Sequence, residues 1–398
     1  MMNAIPYGKQ FISQDDIDAV VTALQSDFLT QGPRIAEFEN TFAAYIGSKY
    51  AVAVANGTAA LHLCAMALGV DEQTNVITTP ITFAASANCI KYCGGNVYFA
   101  DIDPATYLID LEKVEALIKS KPNNFFKGLV PVHFAGRPVN LEACRKLADK
   151  YNLWIIEDAC HAPGGFFIDS NNEKQFCGNG AFADLAIFSF HPVKHIACGE
   201  GGMVTTNDES LYQNLLTLRT HGITRNQNVF INDKNWAAGN AEGTVNEFPG
   251  WYMEMQELGY NYRLTDFQAA LGLSQLKRAD EGLVRRRQIA KRYADAFIGK
   301  EWLFGQSGFS EKHAYHLYVI EVKDRLGLYN HLRAENIFPQ IHYIPTHLMP
   351  YYQQQGYKQG DFLNAETYYS RCISLPVYPT LTSEEQDEVI ECVNDFYK

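Results

Sequence analysis

The sequence predicts an α/β protein: a large unit on a mostly parallel central sheet, followed by a small C-terminal α/β unit. Three observations carry that expectation. Between residues 50 and 206, short apolar runs alternate with segments of helical spacing, the pattern that buries a parallel sheet between layers of helices. The 398 residues are 47% apolar and 20% charged, enough for more than one hydrophobic core. The alternation then stops near residue 225 and resumes on a smaller scale after a long helical stretch. The expected division is 1–265 for the large unit, with an insert at 225–257, and 266–398 for a linking helix and the small unit.

Taken in order, Ser13 is placed to cap a helix whose apolar face is Ile17, Val20, Val21 and Leu24, with Asp16 three residues on. Strands are expected at Tyr50–Ala55, Val76–Thr79, Val97–Ala100, Gly128–Val132, Leu153–Glu157, Leu185–Phe188 and Met203–Thr205. Helices are expected between them at Thr58–Leu68, Phe83–Cys93, Leu111–Ser120 and Leu141–Tyr151. Residues 225–257 are rich in Asn, Gly and aromatics without a clear period. They read as a long surface loop, in which Trp236, Trp251 and Tyr252 are either packed or mobile. Leu264–Ile298 reads as helix with Arg285, Arg286 and Arg287 on a solvated face. His316–Val322 reads as a strand, Arg325–Asn336 as a helix, and Ser383–Phe396 as a closing helix capped by Ser383.

The formal net charge of −12 argues against nucleic acid or an anionic membrane as partner. Met1–Gln10 has no apolar signal region and no run of 18 apolar residues occurs, so a soluble cytoplasmic protein is expected. Nine scattered cysteines without a C-x-x-C pair read as reduced thiols, with Cys89 and Cys93 as packing. No dinucleotide fingerprint, P-loop or H-E-x-x-H is present, and no metal site is expected.

Four strand-end segments carry the remaining chemistry. Tyr50–Ala55 runs through Asn56 and Gly57 into a helix starting near Thr58, where free first-turn amides, the helix dipole and the Thr58 hydroxyl can hold a phosphate. Alone, this is an ordinary turn. Phe83, in Pro80–Ser86, can stack on a flat ring or simply fill a core. Leu153–Asp158 is an apolar strand ending in two carboxylates; Asp158 there either caps the next turn or pairs with a buried cation such as a pyridinium nitrogen. Lys194, after Phe188-Ser189-Phe190-His191-Pro192-Val193, is a lysine in an apolar, aromatic stretch. Burial would lower its pKa, as a Schiff-base lysine requires, and Ser189 could bond a phosphate. Separately these are commonplace; together they are the parts of a pyridoxal phosphate (PLP) site.

These residues resemble the DegT/DnrJ/EryC1/StrS sugar aminotransferases, of PLP fold-type I. The resemblance spans nearly the whole chain: Leu29–Pro33, Asn56–Leu61, Glu157–Ala162, Ser189–Lys194, Gly199–Gly202 and Gly259–Asp266. It implies that Lys194 is the Schiff-base and proton-transferring lysine and that Asp158 pairs with the ring nitrogen. Gly57, Thr58 and Ser189 would hold the phosphate, and Phe83 and His161 would flank the ring. The family commonly has Gln at the position of His161. The resemblance also implies a homodimer with shared sites, Asn261 reaching the phosphate or substrate of the neighbouring subunit. Tyr7, the turn Asp27-Phe28-Leu29-Thr30, and His342-Tyr343-Ile344-Pro345 look like sugar-nucleotide contacts. Asp158–Ala162, the insert ending at Met255–Tyr260, and Ile341–Tyr352 point to the branch that makes pseudaminic acid. There L-glutamate would give its amino group to C4 of UDP-4-keto-6-deoxy-L-N-acetylaltrosamine. A related branch, the sugar 3-dehydratases, carries His at the position of Lys194. A non-catalytic regulator of the same fold has no need of a lysine in that setting.

Overall fold

The computed structural model describes residues 4–240, 243–305 and 308–398. Seven strands form the central sheet: β1 (Tyr50–Val54), β2 (Asn75–Thr78), β3 (Asn96–Phe99), β4 (Phe126–Val130), β5 (Trp154–Asp158), β6 (Leu185–Ser189) and β7 (Gly202–Thr206). Their order is β1-β7-β6-β5-β4-β2-β3. All run the same way except β7, which is antiparallel to both β1 and β6. Successive residues point to opposite faces, and both faces are covered. Val52, Val76, Val130, Ile156, Ile187 and Val204 belong to one core cluster, while Ile77, Leu129 and Ile155 belong to another. This explains why the strands read as continuous apolar runs. The parallel arrangement brings the C-terminal ends of β1, β2, β4, β5 and β6 to one edge, where α/β sheets bind ligands.

The N-terminal helix α1 (Gln14–Leu24) carries the expected capping box of Ser13 and Asp16. The stretch expected as one helix over Leu264–Ile298 is two, Asp266–Leu276 and Ala279–Phe297. It breaks at Arg278, whose backbone leaves the helical region and whose guanidinium turns to Ser13 (2.6 Å) and Asp16 (2.5 Å). The arginine triplet is a second correction. Arg286 is only 2% exposed and donates to the Val377 carbonyl at 2.9 Å; Arg285 donates to Leu381 and Arg287 to His313. The face is packed because these guanidinium groups donate to main-chain carbonyls, although Arg286 Nε has no partner among the described residues.

The C-terminal part holds a three-stranded antiparallel sheet of β8 (Leu303–Gly305), β9 (Tyr318–Val322) and β10 (Cys372–Leu375). The helix Ser383–Phe396 packs against it through Val389 and Val393. Its cap is Thr382 rather than Ser383. Thr382 Oγ1 accepts the Glu385 amide (3.1 Å) and Glu385 returns to the Thr382 amide (2.9 Å); Gln386, which the same spacing offers to Ser383, donates instead to the Ile289 carbonyl (2.8 Å). In the insert, Phe230, Phe248 and Tyr252 pack at 4.9–5.6 Å. The Glu254 carboxylate accepts the amides of Ile231 and Asn232. Tyr252 is therefore packed, whereas Trp251 is 74% exposed. Residues 241–242 of the insert lie outside the described residues. Among the described residues no helix is long and apolar enough to cross a membrane.

Candidate active site

A cavity of about 920 Å³ opens at the C-terminal edge of the sheet. Its floor is built where β1 and β6 end. Asn56 caps the following helix (Gly57–Ala67) with both ends: its side chain takes the Ala59 amide (2.8 Å) and its carbonyl takes the Ala60 amide (3.1 Å). The first-turn donors left over are those of Gly57 and Thr58. Ser189, the last residue of β6, closes the cradle from beside it. A Cβ at position 57 would lie 3.0 Å from Ser189 Cβ, so glycine is what lets the two strand ends come this close.

Asp158, the last residue of β5, is 6% exposed. Its Oδ2 accepts the Ser86 hydroxyl at 2.6 Å and its Oδ1 accepts the Cys160 amide at 3.1 Å. Among the described residues it has no ion-pair partner. A buried carboxylate with no ion-pair partner of its own fits a ligand that brings a cation to it. Lys194 lines the same cavity. Burial lowers its pKa; Cys160 and Asp158 oppose the shift, and Arg286 adds to it.

His161, on the turn after Asp158, is 5% exposed, with Nε2 at 3.2 Å from the Tyr343 hydroxyl and Nδ1 without a partner. Its ring lies 4.3 Å from that of His316. Burial, then the Lys194 charge, keeps both imidazoles well below the usual histidine pKa. His342 is pushed down to about 3 by burial, with Lys194 adding to the shift, and bonds Ser374 at 2.9 Å. Phe83 stands 62% exposed, its ring 6.3 Å from that of Tyr343.

The structure thus brings Tyr7, Gly57, Thr58, Phe83, Asp158, His161, Ser189, Lys194, His342 and Tyr343 to one cavity. It does not bring Asp27, Phe28, Leu29, Thr30 or Asn261 there. These are exposed, with Thr30 bridged to Thr265 and Asn261 to Thr220. Ile344 is 47% exposed and Pro345 is buried, both outside the lining. The turn 27–30 is held away because the Asp266 amide donates to the Leu29 carbonyl. Sequence reasoning missed Ser86, Cys160 and His316 as cavity residues; a helix serine, a small thiol and a strand-end histidine carry no distinctive signal.

His133, Glu157 and Cys177 place three possible ligand atoms within 4.8 Å of one another. The Val139 amide, however, donates to His133 Nδ1 (2.8 Å), which leaves the ring proton on Nε2, facing Glu157 at 2.7 Å. The group is a buried hydrogen-bonded unit, since the nitrogen a metal would need carries the proton.

An open, mostly parallel sheet with a helix N-terminus, an unpaired buried carboxylate and a desolvated lysine at its C-terminal edge has the parts of a PLP enzyme of the aminotransferase kind. The chain belongs to the DegT/DnrJ/EryC1/StrS aminotransferase family, which it matches over residues 10–394. It is 38% identical to the spore coat polysaccharide biosynthesis protein SpsC of Bacillus subtilis, covering 99% of this chain and 97% of that one. It is 35% identical to the UDP-4-amino-4,6-dideoxy-N-acetyl-beta-L-altrosamine transaminase of Campylobacter jejuni, covering 96% and 94%. Among solved structures it resembles Helicobacter pylori PseC, an aminotransferase of pseudaminic acid biosynthesis (TM-score 0.84, 29% identity, 99% of both chains). It also resembles the PLP form of Streptococcus pneumoniae Spr1654 (TM-score 0.84, 26% identity, 99% and 98%). The protein is a PLP-dependent sugar aminotransferase.

Proposed function

We propose that the protein transfers the amino group of L-glutamate to C4 of UDP-4-keto-6-deoxy-L-N-acetylaltrosamine, a step of pseudaminic acid biosynthesis. The observation that carries the reading is the meeting of Lys194, Asp158 and the Gly57–Ser189 cradle in one cavity, with space continuing toward Tyr7, His342 and Tyr343. In this assignment Gly57, Thr58 and Ser189 hold the cofactor phosphate, Asp158 pairs with the ring nitrogen, and Phe83 and His161 bound the ring. When bound, PLP supplies the electron-accepting ring that lets an amino group be stored between donor and acceptor. Lys194, whose ammonium burial makes easier to deprotonate, takes the proton from the donor carbon and later delivers it to the sugar carbon from its own side of the cavity, which sets the configuration at C4. The buried, neutral His161 keeps a second positive charge away from that proton transfer. Storing the amine on the enzyme predicts ping-pong kinetics.

The similarity to the Campylobacter transaminase supports this sugar. The slightly higher identity to SpsC supports the second reading, another nucleotide-linked keto-sugar with the same chemistry. The working form is proposed to be a cytoplasmic homodimer. Phe28, Leu29, Met255 and Leu258 are all more than half exposed, and Asn261 is exposed and outside the lining of its own cavity, available to a second copy. The deciding experiment incubates the protein with PLP, L-glutamate and the altrosamine-series 4-keto sugar and identifies the product by mass and NMR. A 4-amino product of L-altro configuration supports the first reading. Release of 2-oxoglutarate in the glutamate half-reaction, with no sugar turnover, moves the protein to the second.

A further inference from the structure

Asp158, Ser86 and Thr82 all line the cavity, and a chain of hydroxyls joins them. Ser86 Oγ lies 2.6 Å from Asp158 Oδ2, and Thr82 Oγ1 lies 2.8 Å from Ser86 Oγ. Ser86 is 0% exposed and Thr82 1%, so water does not compete for either hydroxyl. An ionised carboxylate only accepts, so the single Ser86 hydrogen goes to Asp158. The Ser86 oxygen also stands 3.3 Å from the Phe83 carbonyl, a longer and weaker alternative for that hydrogen. With the Ser86 hydrogen committed, Thr82 must donate to Ser86, and the two bonds polarise each other. The segment is itself pinned: the Pro80 carbonyl accepts the Thr346 amide at 2.8 Å, from the loop that carries His342 and Tyr343.

We propose that Ser86, backed by Thr82, is a positioning residue that holds the Asp158 carboxylate aimed so that a proton shared with the cofactor ring stays on the ring nitrogen. This rests on the assignment of Asp158 to that nitrogen. A short bond to a charged acceptor is roughly twice as strong as a neutral one. Removing it takes away a donor that steadies the carboxylate opposite the ring, draws the shared proton toward Asp158, and weakens the ring as an electron acceptor.

The test is the nitrogen-15 NMR signal of enzyme loaded with PLP labelled at the pyridine nitrogen, with PLP affinity measured alongside. Ser86→Ala is expected to move the signal toward neutral pyridine and to weaken PLP binding on the order of tenfold. Thr82→Val should shift it less in the same direction, and Ser86→Thr should restore it. Asp158→Asn is the control. If Asp158→Asn moves the signal and a folded Ser86→Ala does not, the Ser86 proposal is overturned while the Asp158 assignment stands. If neither moves it, the Asp158 assignment itself falls. Should Ser86→Ala fail to fold, Thr82→Val, which leaves Ser86 in place, decides the matter: an unmoved signal overturns the proposal.

Discussion

The Tyr343 hydroxyl sits 3.2 Å from His161 Nε2 and joins the loop after β5 to the segment carrying the proposed sugar contacts. Because His161 Nδ1 has no partner of its own, this is the only hydrogen bond of the ring among the described residues. Tyr343→Phe should leave a buried imidazole with neither nitrogen satisfied and cost about 1–3 kcal/mol. A denaturant unfolding midpoint that does not move would remove the contact from the stability account. Adding His161→Gln to Tyr343→Phe should restore little, since an amide there lacks the same partner.

Gly57 makes a sharper test of the cradle. Alanine there forces its Cβ to 3.0 Å from Ser189 Cβ, and a few tenths of an ångström of separation would have to come from the helix start or from β6. We expect PLP affinity to fall by about 1–3 kcal/mol, the usual range for overpacking, with a smaller loss in melting temperature of the cofactor-free protein. Equal losses in both would mean that the glycine serves the sheet rather than the phosphate.

Lys194→Ala should reduce product formation to background, and Asn261→Ala should impair the site of the partner. If sites are shared, mixing the two inactive variants regenerates one intact site in each mixed dimer, and activity returns to about a quarter of wild type. Size-exclusion chromatography with light scattering supplies the oligomer mass. No recovery from a preparation shown to contain mixed dimers would place Asn261 in its own chain's site or in none.

Acid sensitivity follows from the histidines. His161, His316 and His342 are held neutral in the fold, His342 down to about 3, while in the unfolded chain each takes a proton below about pH 6.5. The unfolded state therefore binds more protons in that window, so their contribution to stability is whole above pH 6.5 and is lost progressively as pH falls toward 3. Each fully neutral imidazole accounts for up to about 1.4 kcal/mol per pH unit. Urea midpoints at pH 7.5, 6.0 and 5.0 should decline, and His342→Asn should flatten the decline.

The central sheet was legible because both of its faces are covered: Ile155 and Ile156 are each fully buried, and so are Ile187 and Phe188. Such runs read as strands whatever follows. Lys194, Asp158 and Gly57 were legible for a related reason, since each breaks an apolar pattern at a strand end. What escaped depends on partners distant in sequence. Arg286 looks like a surface charge until the carbonyls of Tyr315, His316 and Val377 surround it. The hairpin of Phe166–Ile168 and Lys174–Phe176 is too short to show a period, and the Lys174 ammonium lies 4.0 Å from the Phe166 ring. Ser86 lies in an ordinary helix turn, and nothing in Thr82–Ser86 announces that Asp158 stands behind it.

The reversed strand β7 has a consequence for when the protein becomes competent. It lies between β1 and β6, with Gly202 paired to both Val54 and Ser189, so the two halves of the proposed phosphate cradle are bridged by a strand made after both. During synthesis, a chain that has not yet extended past Thr206 can form most of its parallel strands and still lack the cradle. A chain cut before Gly202 keeps Gly57 and Ser189 but loses the strand that pairs beside both.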